Sequence, residues 1–82
     1  MKELEVIVPK LYEDLEAGVL VEWFKREGDY IKIGDIIFSL ETEKSVFEIE
    51  SEFEGCLKKI IIGNGNDVKP LDIVGIISSE KE

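Results

Sequence analysis

The sequence predicts an all-β domain, a flattened barrel or sandwich of two sheets with about four strands each, related by a pseudo-two-fold axis. Two observations support this fold. Short runs rich in Val, Ile and Phe alternate with Gly, Asp, Asn and Pro, which is the pattern of strands joined by turns. The two halves of the chain are also similar, which favours two related sheets packed face to face. The length of 82 residues fits one small domain, placed at residues 1–78, with residues 79–82 as the start of a polar linker or tail.

Six runs are expected to form strands. The first, residues 6–8, ends at Pro9, which has no N–H to donate to a sheet. The others, in chain order, are residues 19–24, 36–40, 46–49, 57–62 and 73–77. The polar residues 41–45 between two of these runs predict a hairpin turn with Lys44 on it. Helix is poorly supported, because only residues 12–17 have a helical composition and that run is too short.

The internal repeat has an offset of 37 residues. Residues 18–37 align without a gap on residues 55–74. The matched positions include Gly18 with Gly55, Gly28 with Gly65, Ile31 with Val68, Lys32 with Lys69, and Asp35 with Asp72. The same offset carries Lys44 to residue 81 in the C-terminal tail, so a two-fold relation predicts the lysine turn and the chain end at opposite ends of the domain.

Charge and composition exclude several functions. The net charge is −9, from 19 acidic and 10 basic residues, which argues against binding to nucleic acid or to an anionic membrane surface. With no histidine and one cysteine, a zinc site and an internal disulfide are not expected. The single cysteine, Cys56, aligns with Val19 in the repeat and is expected to be buried. Neither a signal peptide nor a membrane span is recognisable, so the expected location is the cytoplasm, or the mitochondrial matrix for an organellar protein.

Lys44 is the only basic residue among residues 38–50, which also hold four glutamates. Nearby carboxylates favour the protonated amine, and an exposed ammonium group is a poor nucleophile. The domain is therefore expected to be non-catalytic. An exposed lysine is nevertheless a handle that a separate enzyme can acylate, and a merely solvated side chain is the alternative from these residues alone.

Several short motifs occur in order along the chain. They are Pro9-Lys10-Leu11, Ala17-Gly18 ahead of Trp23, the segment from Gly28-Asp29 to Gly34-Asp35, Glu41-Thr42-Glu43-Lys44-Ser45, and Gly55 with Gly65-Asn66-Asp67-Val68. In this combination, and over nearly its whole length, the sequence resembles the lipoyl domains of the acyltransferase components of 2-oxo acid dehydrogenase complexes.

The resemblance implies that Lys44 carries lipoic acid in amide linkage and shuttles acyl groups and electrons between the active sites of such a complex. It also implies Glu41, Glu43, Ser45, Gly28 and Gly55 as recognition residues, although turn geometry explains the glycines equally well. The implied partners are a lipoate ligase or lipoyl transferase, a 2-oxo acid decarboxylase component, an acyltransferase catalytic domain and dihydrolipoamide dehydrogenase. The isolated domain is expected to be a monomer.

The chain departs from the family pattern at several positions. Glu43 and Ser45 replace Asp and Ala beside the lysine, and Tyr12 and Leu71 stand where glycine is common. Two rival functions stay open: a biotin carrier module of a carboxylase or decarboxylase, and an unmodified scaffold domain of the same fold. Biotin carriers usually flank their lysine with methionines, whereas the one methionine here is Met1. The acidic loop at residues 12–16 is a candidate docking surface, with a solvated loop as the alternative.

Overall fold

The computed structural model describes residues 2–79, and they form two antiparallel four-stranded sheets without a helix. The strands are β1 (Lys2–Ile7), β2 (Gly18–Trp23), β3 (Tyr30–Ile31), β4 (Ile36–Glu41), β5 (Val46–Glu50), β6 (Gly55–Ile60), β7 (Asn66–Val68) and β8 (Ile73–Ser79). The first sheet has the order β1-β8-β6-β3 and the second the order β5-β4-β2-β7. The sheets are not closed into a barrel, so the predicted all-β sandwich is confirmed.

All six predicted strands are present, and the sequence missed two. β3 has two residues and β7 has three, which is too short for a pattern of alternation to show. Each is an outermost strand, β3 beside β6 and β7 beside β2. The predicted tail at 79–82 begins at the last residue of β8, and the remainder of it lies outside the described residues.

The repeat in the sequence is a repeat in the structure. An offset of 37 residues carries β4 onto β8 and β2 onto β6, and the two sheet orders then correspond strand for strand. The irregular positions correspond too: the ladder of β2 with β4 shifts register at Val21, and that of β6 with β8 shifts at Lys58. The predicted pseudo-two-fold relation is therefore confirmed.

Two repeat-related glycines mark where strands come closest. A Cβ atom at Gly18 would lie closer than 3.0 Å to the carbonyl oxygen of Glu41, and one at Gly55 would lie closer still to that of Ser78. Residues 41 and 78 are themselves related by the repeat. Glycine is needed at both positions because any side chain would meet backbone that cannot yield.

The turns after β3 and β7 are built alike. The carboxylate of Asp35 accepts the N–H of Lys32 at 2.9 Å, and that of Asp72 accepts the N–H of Lys69 at 2.8 Å. An aspartate that bonds backbone three residues away stabilises a tight turn, which explains why both halves keep it. The residue before the aspartate has a left-handed backbone in both turns, with φ of 93° at Gly34 and 75° at Leu71. The turns differ in residue type at this position, because Leu71 adopts the left-handed conformation with a side chain.

The core lies between the sheets. Its fully enclosed side chains come from both of them and include Leu20, Ile31, Phe38, Leu40, Leu57, Val68, Val74 and Ile77. Trp23 packs against Phe38 with ring centroids 5.3 Å apart, and its indole N–H donates to the carbonyl of Ile62 at 2.8 Å. Gly75 leaves room for that indole, since a Cβ there would be 3.0 Å from the ring.

The expectation that Cys56 is buried is wrong. Cys56 is exposed, whereas Gly55 and Leu57 on either side of it are buried. Successive side chains of a strand point to opposite faces, so a position between two inward residues must face solvent. Alignment with Val19 misled the prediction, because Val19 itself is only half-buried.

The lysine turn lies at one end of the sandwich. The β4–β5 hairpin closes at the pair Glu41 and Val46, and the pair Lys2 and Ser79 marks the corresponding end of the first sheet. Trp23, at the end of β2 away from Glu41, packs on Gly75 of β8. The two sheets therefore contact each other near the strand ends that lie away from the pairs Glu41–Val46 and Lys2–Ser79. In a molecule measuring 37 × 22 × 18 Å, this places the lysine turn and Ser79 towards opposite ends.

Candidate functional site

The turn at residues 42–45 is held by Thr42. Its N–H donates to the carbonyl of Ser45 at 2.8 Å, and its hydroxyl donates to the same oxygen at 3.0 Å. The hydroxyl oxygen also accepts the N–H groups of Lys44 and Ser45, each at 3.2 Å. Sequence reasoning gave Thr42 no role, although threonine in a turn commonly bonds nearby backbone in this way. The result is a fixed backbone that presents Lys44 outward.

The side chain of Lys44 is accessible and has two neighbours from a distant loop. It is 54% exposed, and its Nζ lies 3.4 Å from Oδ1 of Asp14. The same nitrogen lies 4.2 Å from the centroid of the Tyr12 ring. Residues 12–16 therefore pack beside the lysine turn, although nothing in the sequence connects the two segments.

The loop at residues 12–16 is held against the domain by two of its own side chains, Leu15 and Tyr12. Leu15 is buried, with 5% of its surface exposed. The Tyr12 ring packs against Phe47 of β5 with centroids 6.3 Å apart. Tyr12, which stands where the family commonly has glycine, thus supplies an aromatic surface next to the lysine amine.

The predicted recognition residues near the lysine are all exposed. Glu41 is the last residue of β4, and Glu43 and Ser45 flank Lys44 within the turn. A shallow cleft of about 330 Å³ beside the turn is lined by Glu41, Glu43 and Asp67. Of the described acids, only Asp14 forms an ion pair with Lys44. The glutamates therefore face outward, and this end of the domain is acidic.

The two candidate glycines are placed elsewhere. The N–H of Gly28 donates to the carbonyl of Leu57 in β6 at 2.7 Å, and Gly55 begins β6 and pairs with Ile31. Both thus lie against the first sheet, whereas the lysine turn ends the second. Each has a backbone role, since Gly28 has φ of 97° and Gly55 a close approach to Ser78. A role in recognition stays a prediction for both.

Residues 2–79 contain no cluster of three or more His, Cys, Asp or Glu side chains arranged to hold a metal ion. They also contain no helix long and apolar enough to cross a bilayer.

Comparison with known sequences gives a consistent set of relatives. A family profile described as "Biotin-requiring enzyme" matches residues 4–77. The dihydrolipoyllysine-residue acetyltransferase component of the pyruvate dehydrogenase complex of Rickettsia typhi is 35% identical over 80 residues, which are 96% of this chain and 20% of that protein. The corresponding succinyltransferase of the 2-oxoglutarate dehydrogenase complex of Bacillus subtilis is 35% identical over 74 residues, or 90% of this chain and 18% of that protein. The chain thus spans about a fifth of the length of these curated relatives.

Solved structures share the architecture. The lipoyl domain of the 2-oxoglutarate dehydrogenase complex of Azotobacter vinelandii superposes with a TM-score of 0.74 at 25% identity, covering 93% of this chain and 96% of that one. The urea carboxylase of Kluyveromyces lactis contains the same fold, with a TM-score of 0.77 at 20% identity over 95% of this chain and 6% of that one. The profile match, the curated relatives and the lysine on a hairpin turn agree: the chain belongs to the biotin/lipoyl attachment family and has the fold of a lipoyl domain.

Proposed function

We propose that this domain is a carrier whose Lys44 bears covalently attached lipoic acid and which serves a 2-oxo acid dehydrogenase complex. The observation that carries the proposal is an exposed lysine on a hairpin turn that Thr42 holds rigid, in a fold shared with lipoyl domains. The relatives named above are components of such complexes, which supports lipoate over biotin as the attached group.

The residues present fit an amide-linked arm. More than half of the Lys44 side chain is exposed, although its amine lies beside Asp14 and the Tyr12 ring. The turn around it consists of small or flexible polar residues that leave the amine accessible to an attaching enzyme. Once attached, the lipoyl group supplies a dithiolane that accepts an acyl group and electrons. The protein contributes a rigid mount that keeps the arm at high local concentration near its partner active sites.

The surface around the lysine favours basic partners. Glu41, Glu43, Asp67 and Asp14 lie around the turn, and the domain carries a net charge of −9. Such a field attracts a basic rim around an active site and raises the rate of encounter. The partners proposed are an attaching ligase or transferase, a 2-oxo acid decarboxylase, the acyltransferase catalytic domain and dihydrolipoamide dehydrogenase. Because the named relatives are bacterial, we place this carrier in the cytoplasm.

Intact mass measurement tests the proposal. The 82-residue chain is expressed with a lipoate ligase and lipoate, and in parallel with a biotin ligase and biotin. One lipoyl group is expected on the wild type and on a Lys59→Arg control, and none on Lys44→Arg. A gain in mass only with biotin would favour the carboxylase carrier, and no gain in either arm would favour an unmodified scaffold. A lipoyl group on Lys44→Arg would refute the site.

A further inference from the structure

A second concave site lies along one side of the sandwich, between the outermost strands β1 and β5. Within the described residues β1 is bonded only to β8 and β5 only to β4, so each has one free edge. Residues of both strands line a groove of about 390 Å³, here called the edge groove. None of residues 41–45 contributes to it, so the edge groove is separate from the lysine turn.

The wall of the edge groove is largely apolar. Its apolar residues include Val6, Ile7, Leu11, Ile37, Ile49 and Phe53. Val6, Ile37 and Ile49 belong to the buried core, whereas Ile7 and Leu11 are each 37% exposed. Aliphatic surface that remains open to water at a concave site gains free energy when an apolar side chain covers it.

Four glutamates also line the edge groove: Glu5, Glu48, Glu50 and Glu52. All four are exposed, and none forms an ion pair with another residue in the 2–79 range. Other acidic residues do form ion pairs: Glu3 pairs with Lys58, and Asp35 pairs with Lys25. Four uncompensated carboxylates beside an apolar groove repel an acidic ligand and attract a cationic one.

We propose that the edge groove binds an extended basic segment of a partner protein, with an apolar side chain in the groove and lysine or arginine side chains beside the four glutamates. An extended segment suits the site because a strand can add to the free backbone edge of β1 or β5. The proposal concerns a surface distinct from Lys44, and it stands whether or not that lysine is modified.

The test uses a synthetic peptide of alternating charge and aliphatic residues, acetyl-KIKLKIK-amide, titrated into the unmodified 82-residue chain at low salt. Calorimetry measures the affinity, and amide NMR shifts locate the site. We expect saturable binding with shifts centred on Ile7, Ile49 and Phe53. Replacing the peptide's lysines by glutamate, or its aliphatic residues by serine, should weaken binding by about tenfold or more, because each removes one of the two attractions.

A matched pair of double variants separates local from general charge effects. Glu50→Lys with Glu52→Lys reverses two charges at the groove, and Glu16→Lys with Glu22→Lys reverses two exposed charges outside it. All four positions are exposed, so both proteins should fold, and the amide spectrum verifies this. The groove variant should lose about tenfold in affinity, and the control about twofold.

Several outcomes would overturn the proposal. Equal losses in the two double variants would mean that the peptide responds only to net charge. Shifts centred on residues 41–45 would place binding at the lysine turn. Absence of saturable binding would mean that the glutamates only protect the strand edges from pairing with other chains. Self-association that is lost in the groove variant would assign the groove to a second copy of the chain.

Discussion

The Nζ atom of Lys44 lies 4.2 Å from the centroid of the Tyr12 ring. A cation above an aromatic face at an exposed site contributes about 0.5–1 kcal/mol. This contact depends on the positive charge, which the amide linkage proposed for Lys44 would remove. The proposed modification would therefore weaken the contact that holds residues 12–16 against the turn.

The first prediction follows from this contact. Lys44→Gln removes the charge while keeping a long polar side chain, and it should lower the free energy of unfolding by less than about 1 kcal/mol. Amide hydrogen exchange in residues 12–16 should become faster in the same variant. Lys44→Arg, which keeps a cation, should behave like the wild type. Identical exchange in all three proteins would show that Leu15 and the Tyr12–Phe47 contact alone hold the loop.

Recognition by a cognate decarboxylase gives the second prediction. Glu41→Gln and Asp14→Asn should each slow reductive acylation of the lipoylated domain, because both remove charge next to the lysine turn. The deficit should shrink as salt rises, since charges are screened beyond roughly 10 Å at about 0.1 M ionic strength. Glu22→Gln, which is exposed on β2 outside the turn, serves as the control. Unchanged rates at low salt would leave shape, and not charge, as the basis of recognition.

The third prediction concerns the left-handed residue Leu71. A side chain in this conformation costs roughly 1–2 kcal/mol, and glycine avoids that cost while losing about 0.5–1 kcal/mol through its freedom in the unfolded chain. Leu71 is 67% exposed, so little burial is lost. Leu71→Gly should therefore stabilise the domain by about 0.5 kcal/mol in urea unfolding. The reciprocal change at its repeat partner, Gly34→Ala, should destabilise by about 1 kcal/mol, and the opposite pair of signs would contradict the argument.

The fourth prediction concerns acid stability. The hydrogen bond from the Lys32 N–H, reinforced by the nearby Lys25 ammonium, holds the pKa of the Asp35 carboxyl below its usual range. Because the folded state favours the ionised form, this contribution is present above the ordinary carboxyl pKa of about 4 and is lost as the pH falls through the lower folded value. The destabilisation caused by Asp35→Asn should thus be largest near neutral pH and shrink below about pH 4. Thermal unfolding of the wild type and the variant from acid to neutral pH measures this, and an equal destabilisation at every pH would contradict the argument.

The sequence was informative where structure depends on local pattern. Apolar runs bounded by glycine and aspartate predicted six strands, and the matched glycines at 18 and 55 predicted the two-fold relation. The turn at Lys44 was also predictable, because its polar residues interrupt two strand-like runs. These features depend on neighbours in sequence or on a repeat visible along the chain.

Features that depend on distant contacts were not predictable in the same way. Tyr12 lies close to Lys44 because the loop after β1 packs over β5, and no local sequence pattern indicates this contact. Cys56 was placed wrongly because its face of β6 is decided by its buried neighbours and not by its repeat partner. The edge groove likewise exists only once β1 and β5, far apart in sequence, become outermost strands on the same side.

The pairing of β1 with β8 makes the domain a candidate for circular permutation. Ser78 and its register partner Glu3 occupy the place in the first sheet that Glu41 and Val46 occupy in the second. A four-residue segment with the sequence of residues 42–45 could therefore join Ser78 to Glu3 in a second hairpin, with new chain ends opened in an exposed turn elsewhere. Such a protein would present two lysines on hairpin turns, one at each end of a 37 Å body. Because of the pseudo-symmetry, the fold has a second position that is equivalent to the lysine turn.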